Sequence, residues 1–388
     1  MLTKSFWIAG FECSCHRRRD GKRLDLLAAT GHDRFAAADY ARLRRAGIGA
    51  ARDGVRWHLV ERAPGRYDFS SLLPMVRAAR DAGVEVIWDL CHYGWPEDVD
   101  IFRPRFVERF AAYARAVARL IADETDGPPL FVPVNEISFW SWAGGDSAHL
   151  DPYCVERGFE LKTQLARAAL AATDAVWSVA PQARILHADP AVRVVPDPDH
   201  PEQQNEALGY HEAQYQAWDM IAGRLWPQLG GDGRYLSVLG VNYYPYNQWI
   251  YKGPSLEPDH PLHRPFRDIL IDIHTRYGRP LVIAETGADG GKRAPWLAAI
   301  GAEVRAAMQA GVPVLGLCLY PVLDYPGWAD DRHCQVGLWG FPGPDGSRET
   351  YAPLARELAR QQELFQPLLS EKTEEETEQT CFHLSHRT

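Results

Sequence analysis

What this chain lacks narrows its identity before anything it contains. No apolar run is long enough to cross a membrane, and the short stretch from Phe6 to Phe11 meets Glu12 too soon to read as a secretory signal. No G-x-G-x-x-G follows the first strand-like run, which argues against a dinucleotide fold. Positive charge is in the minority, with 42 Lys and Arg against 51 Asp and Glu and a net charge of −9. Nothing therefore favours nucleic acid, which requires a basic patch, and a neutral substrate fits better than an anionic one. Cysteine is sparse and odd in number: seven thiols are scattered through apolar runs and loops, the pattern of a reducing compartment. Cys13-Ser14-Cys15-His16 has no second ligand pair at zinc spacing, so these read as loop cysteines. The expectation is a cytoplasmic protein that needs neither metal nor organic cofactor, acts on a small molecule, and engages no membrane.

What is present is ordinary globular composition, 388 residues with 46% hydrophobic and 24% charged, enough for a large core. Short apolar runs recur at 5–12, 48–54, 84–91, 129–136, 184–189, 236–243, 280–285 and 313–319. Between them lie amphipathic segments with apolar residues at helical spacing, among them 33–46, 103–123, 155–180, 296–310 and 351–366. The strand-like runs are continuously apolar, as a sheet covered on both faces requires. Eight strand–helix units in this length predict an α/β fold closed as a (β/α)8 TIM barrel over residues 1–366. The stretch 367–388, with Glu371, Glu374, Glu375, Glu376 and Glu378, reads as an acidic disordered tail. Two segments break the rhythm, a proline-rich loop at 190–205 and a long loop at 320–350, both on the side where barrel sites are built.

Each predicted strand end carries a polar or aromatic residue: Glu12, Arg52, His92, Glu136, Asp189, Asn242 with Tyr244, Glu285 and Tyr320. One such residue is ordinarily a satisfied structural hydrogen bonder. Eight converging on one mouth are hard to explain by stability, because burial alone selects apolar side chains. Glu136 and Glu285 close two different apolar runs, and paired carboxylates are the apparatus of glycoside hydrolysis. In that chemistry one carboxyl protonates the leaving oxygen and the other acts as nucleophile or as base for water. Asn135 is placed beside Glu136 to hold a sugar hydroxyl, Arg52 to keep a carboxylate ionised, and Tyr244 to orient it. Trp57, Trp95, Trp140, Trp142, Trp328 and Trp339 are candidate sugar-stacking faces, with core packing the competing reading. A barrel of aldolase type needs a strand-end lysine, and none of the eight ends carries one.

Taken in order, these motifs resemble clan A glycoside hydrolases, and within them family 1, the β-glucosidase-like enzymes. The matching residues are Asn135-Glu136, Glu285-Thr286-Gly287, Arg52 with Trp57 and Pro64-Gly65, His92 with Pro96, Gly240-Val241-Asn242-Tyr243-Tyr244, and the ungapped stretch Tyr320 to Leu338. The resemblance runs from Phe6 to about Leu338. It implies Glu136 as acid/base and Glu285 as nucleophile, with their carboxyl groups about 5–5.5 Å apart in a retaining double displacement.

The departures point to a rebuilt glycone pocket. Ile137 stands where the family has Pro after Asn-Glu, Tyr320 where it has Trp, Gly327 where it has a sugar-binding Glu, and Glu12 where it has Gln. Asp330, Asp331 and His333 are candidates for replacement contacts, with solvated loop charge the plain reading. Three functions follow in order of preference: a retaining β-glycosidase with an atypical glycone, a transglycosidase or biosynthetic glycoside-processing enzyme, and a non-catalytic carbohydrate-binding barrel.

Overall fold

In the computed structural model, eight parallel strands close into a barrel in sequential order: β1 (Trp7–Gly10), β2 (Ala50–Gly54), β3 (Glu85–Asp89), β4 (Leu130–Val132), β5 (Arg184–Pro190), β6 (Val238–Asn242), β7 (Leu281–Thr286) and β8 (Val314–Leu319). The structure describes the backbone of residues 1–385 and the side chains of residues 1–370. Of the acidic tail expected over 367–388, the side chains beyond Ser370 and the backbone beyond Ser385 lie outside the described residues. Helices follow the strands: α1 (His32–Arg45), α2 (Leu73–Asp81), α3 (Pro104–Glu124), α4 (Gly158–Trp177), α5 (Gln216–Ile221), α6 (Phe266–Tyr277), α7 (Arg293–Gln309) and α8 (Ala352–Ser385). Among the described residues no helix is long and apolar enough to cross a membrane.

The continuously apolar strands serve two separate cores. Ile8, Ala50, Ile87, Val132, Leu186, Ala188, Val282 and Ala284 fill the barrel interior. Their odd-register neighbours, such as Ala9, Ala51, Phe131 and Ile283, pack outward against the helices. Because the side-chain period of a strand is two, residues two positions beyond an interior residue also face inward. Arg52 follows Ala50 in this way and reaches the barrel axis; its strand is in register with Gly10 on one side and Ile87 on the other. Gly10 has no room for a side chain, because the Tyr320 ring occupies the space a Cβ would take.

Both long loops carry local structure. Arg193–Val195 pairs in parallel with Gln248–Ile250, tying the loop after β5 to the loop after β6. The segment after β8 folds into two small hairpins, Tyr325–Pro326 with His333–Cys334 and Trp339–Pro342 with Arg348–Thr350.

Candidate active site

Glu285 reaches the barrel mouth because β7 is irregular. Val282 and Ala284 face the interior, so strict alternation would turn Glu285 outward. Register shifts against both neighbours between Ile283 and Glu285 or Thr286 add the extra residue of a bulge. Glu285 turns inward, and Thr286 turns out, where its hydroxyl accepts from Trp296 Nε1 at 2.9 Å. Glu136 is placed by a different device. It lies past the end of β4 with left-handed φ and ψ of 48° and 60°, held by its N–H donating to the Ala188 carbonyl at 2.9 Å. A non-glycine residue in that region is strained and persists only where its surroundings fix it.

The two carboxylates have opposite surroundings. Glu285 Oε1 accepts from Arg52 Nη1 at 2.7 Å, and its Oε2 accepts from the Tyr244 hydroxyl at 2.8 Å. Among the described residues Glu136 has no cationic partner; its Oε1 accepts from Asn242 Nδ2 at 2.9 Å, and its Oε2 accepts from the Tyr93 hydroxyl. Burial, reinforced by the charge of Glu285, pushes Glu136 up to about 8. Burial also raises Glu285, but the Arg52 guanidinium pulls it back. Burial and the nearby carboxylates push the Tyr93 and Tyr244 phenols well above their ordinary range, so both remain donors.

Arg52 is the hub. Nε and Nη2 grip Asp89 in a bidentate fork at 2.9 and 2.8 Å, and Nη2 also donates to Asn135 Oδ1 at 2.6 Å. That last bond fixes the Asn135 amide, so its Nδ2 donates to His92 Nε2 and to the Tyr93 oxygen, each at 3.1 Å. With Nε2 accepting, His92 carries its proton on Nδ1, 2.8 Å from Asp89 Oδ2.

Cys13, Asp89 and His92 lie close enough together to suggest a metal centre. The donor set does not fit one, because Asp89 is committed to the Arg52 fork and His92 turns its Nδ1 proton to the same carboxylate.

A cavity of about 990 Å³ opens over the carboxylates. Of the residues expected at the site, Glu12, His92, Glu136, Tyr244, Glu285, Tyr320 and Trp328 line it. Arg52, Asn135 and Asn242 stand behind the carboxylates and hold them. Asp189, the strand-end residue of β5, caps the turn after Glu136, accepting from the Ser138 N–H at 3.0 and 3.2 Å.

Three expected residues are not brought to the cavity. Trp57 is fully buried outside the barrel, its ring stacked on Tyr113 at 5.2 Å and its Nε1 donating to Glu61 at 2.8 Å. The chain turns outward after β2, so this indole packs on α3. Asp330 is exposed and caps the Arg332 N–H at 3.2 Å. His333 pairs with Asp324 at 2.8 Å. The hairpin that holds both turns them away from the cavity. Asp331 likewise points outward to Arg18 and Lys22. Of the other tryptophans, Trp142 lines the cavity, while Trp95, Trp140 and Trp339 are buried in the core.

Two residues of the site escaped sequence reasoning, Tyr93 and Asp89. Tyr93 also has a positive φ, 65°, which aims its hydroxyl at Glu136. Its place directly after His92 was the only signal available.

No family model matches the sequence, and no curated protein matches it. Solved structures match over most of the chain. The AHE enzyme of Alicyclobacillus herbarius is similar at 18% identity and a TM-score of 0.74, over 86% of this chain and 88% of that one. The family 1 β-glucosidase of Thermotoga maritima is similar at 16% identity and a TM-score of 0.76, over 92% and 96%. The same β-glucosidase in complex with glucoimidazole gives 16% identity and a TM-score of 0.76, over 92% and 97%. At these identities the likeness concerns the fold, and the fold is that of the (β/α)8 barrel found in family 1 β-glucosidases.

Proposed function

We propose that the protein is a retaining β-glycosidase whose glycone pocket departs from that of family 1. The observation that carries this reading is the contrast between the two buried carboxylates. Glu285 is held by Arg52, as a nucleophile must be, and Glu136 is kept neutral by burial, as a general acid must be. In the first step Glu285 attacks the anomeric carbon, the bond to the aglycone oxygen breaks, and Glu136 gives that oxygen its proton. In the second, water attacks the anomeric carbon, Glu136 takes the water's proton, and the bond to Glu285 breaks. Esterification of Glu285 removes its charge, which lowers the proton affinity of Glu136 and fits it to act as base. Tyr244 then keeps the ester oxygen oriented.

The test is a 2-deoxy-2-fluoro glycoside carrying a dinitrophenolate leaving group. Fluorine destabilises the oxocarbenium-like transition state, so the glycosyl-enzyme accumulates. Mass spectrometry of peptides is expected to find the label on Glu285; a label on another residue, or none from any configuration of sugar, would overturn the assignment.

A pH profile checks the acid separately. As pH rises through about 8, Glu136 loses its proton and kcat/KM falls. Glu136→Gln is expected to abolish that alkaline limb, and to spare the first step for dinitrophenyl glycosides, whose leaving group needs no proton. An unchanged limb in the variant would assign it to another group.

The outer cavity is aromatic, with Phe139, Trp142, Tyr210, Tyr246 and Trp249 along its wall. Such a rim suits an apolar aglycone. It also favours a second reading, transfer of the glycosyl group to an organic alcohol; the partition of product between water and an added aryl alcohol separates the two.

A further inference from the structure

We infer that the glycone this cavity takes carries an amine, bound as an ammonium by Glu12. The inference rests on the glycosidase reading of the same cavity and specifies its substrate class.

Glu12 is 5% exposed and lines the cavity floor. Its Oε1 accepts from the Ser14 N–H at 2.9 Å and from the Ser14 hydroxyl. Among the described residues no donor is bonded to its Oε2. The nearest basic group, His92 Nε2, is 3.9 Å from Oε1, too far for a hydrogen bond, and already accepts from Asn135. The unused oxygen opens on the cavity, so a largely buried carboxylate there presents a free acceptor to a ligand that carries a charged donor.

The charge count around it points the same way. The one guanidinium of the site, Arg52, is committed to Asp89 and Glu285, and Glu12 has beside it only His92, whose Nε2 accepts from Asn135. The two lysines along the cavity do not offset the excess. Lys162 is held on the far wall by the Ala213 carbonyl and Gln216, and Lys292 is exposed. A neutral sugar would leave this floor over-negative, whereas an ammonium group would balance it and donate to Oε2.

On the glycosidase reading the ligand of this cavity is a sugar, and a sugar that sets a cation beside Glu12 is an amino sugar.

Calorimetry of the wild-type chain with methyl β-D-glucoside and galactoside, and with their 2-, 3-, 4- and 6-amino-deoxy analogues, tests this without requiring turnover. At least one amine is expected to bind at least about 10-fold more tightly than its neutral parent, the scale of a charge-assisted hydrogen bond. Glu12→Gln, isosteric and still able to accept from Ser14, is expected to erase that ratio. Each ratio is taken within one protein, so the wild-type result stands even where the variant folds poorly. Neutral parents bound as tightly as every amine, or a preference that survives in a folded Glu12→Gln, overturns the inference alone. Failure of every sugar to bind overturns it together with the glycosidase reading.

Discussion

Glu285→Ala is expected to lower kcat/KM by at least about 10⁴-fold, because the proposed mechanism gives this carboxylate the bond to the anomeric carbon. The rest of the site should stay assembled. Arg52 keeps its fork on Asp89 and its bond to Asn135, so the acid and its donors are not displaced. Stability should fall less than in Arg52→Met, because Arg52 keeps Asp89 as its counter-charge. Burial pushes Glu285 above the ordinary carboxylate range, so the folded protein keeps this group at a cost that alanine removes. The pairing of outcomes is the check: hydrolysis of the best nitrophenyl glycoside, together with the thermal midpoint of the same preparation. Activity that survives the substitution would sink the nucleophile assignment. Activity lost along with the fold would show that Glu285 is structural.

Arg52→Met is expected to do the reverse and strike stability first, by about 3–5 kcal/mol, the usual result of removing one partner from a buried ion pair. Methionine fills much of the same volume, so the loss is one of charge and hydrogen bonds. Asp89 and Glu285 would be left buried without a counter-charge and Asn135 Oδ1 without its donor. The deficit should depend on pH, with a definite sign. Burial opposes it, but Arg52 and His92 hold Asp89 below the usual carboxylate range. A depressed carboxyl contributes stability above its unfolded value near 4, lost as pH falls through its folded value. The gap between wild type and Arg52→Met should therefore be widest at neutral pH and shrink on acidification. Urea midpoints at several pH values measure it, and a gap independent of pH would mean that the guanidinium acts by packing alone.

The sequence revealed all eight strands and their closure, because apolar runs bounded by turns and separated by helical periodicity mark a doubly covered parallel sheet. It also revealed both carboxylates, since each ends such a run. It did not reveal how they point. A continuously apolar strand carries no alternation to read, so the bulge that turns Glu285 inward has no signature in Leu281–Thr286. Tyr93 was missed because its role depends on a left-handed backbone with no glycine to announce it. Motif spacing put Trp57 at the site, and the departure at Gly327 put Asp330 and His333 there as replacements, yet a short outward helix and a small hairpin decide where those side chains go. Glu12 was legible as a departure, but its unused oxygen only became visible with its neighbours in place.

The four donors to the carboxylates are shared between the two halves of the chain. Glu136 takes Tyr93 from its own half and Asn242 from the second; Glu285 takes Tyr244 from its own half and Arg52 from the first. Neither half, β1–β4 nor β5–β8, supplies both donors to either carboxylate alone. A chain cut between Trp177 and Arg184 would leave each carboxylate with one of its two donors, so an intact pair doubles as a report that the two halves have met.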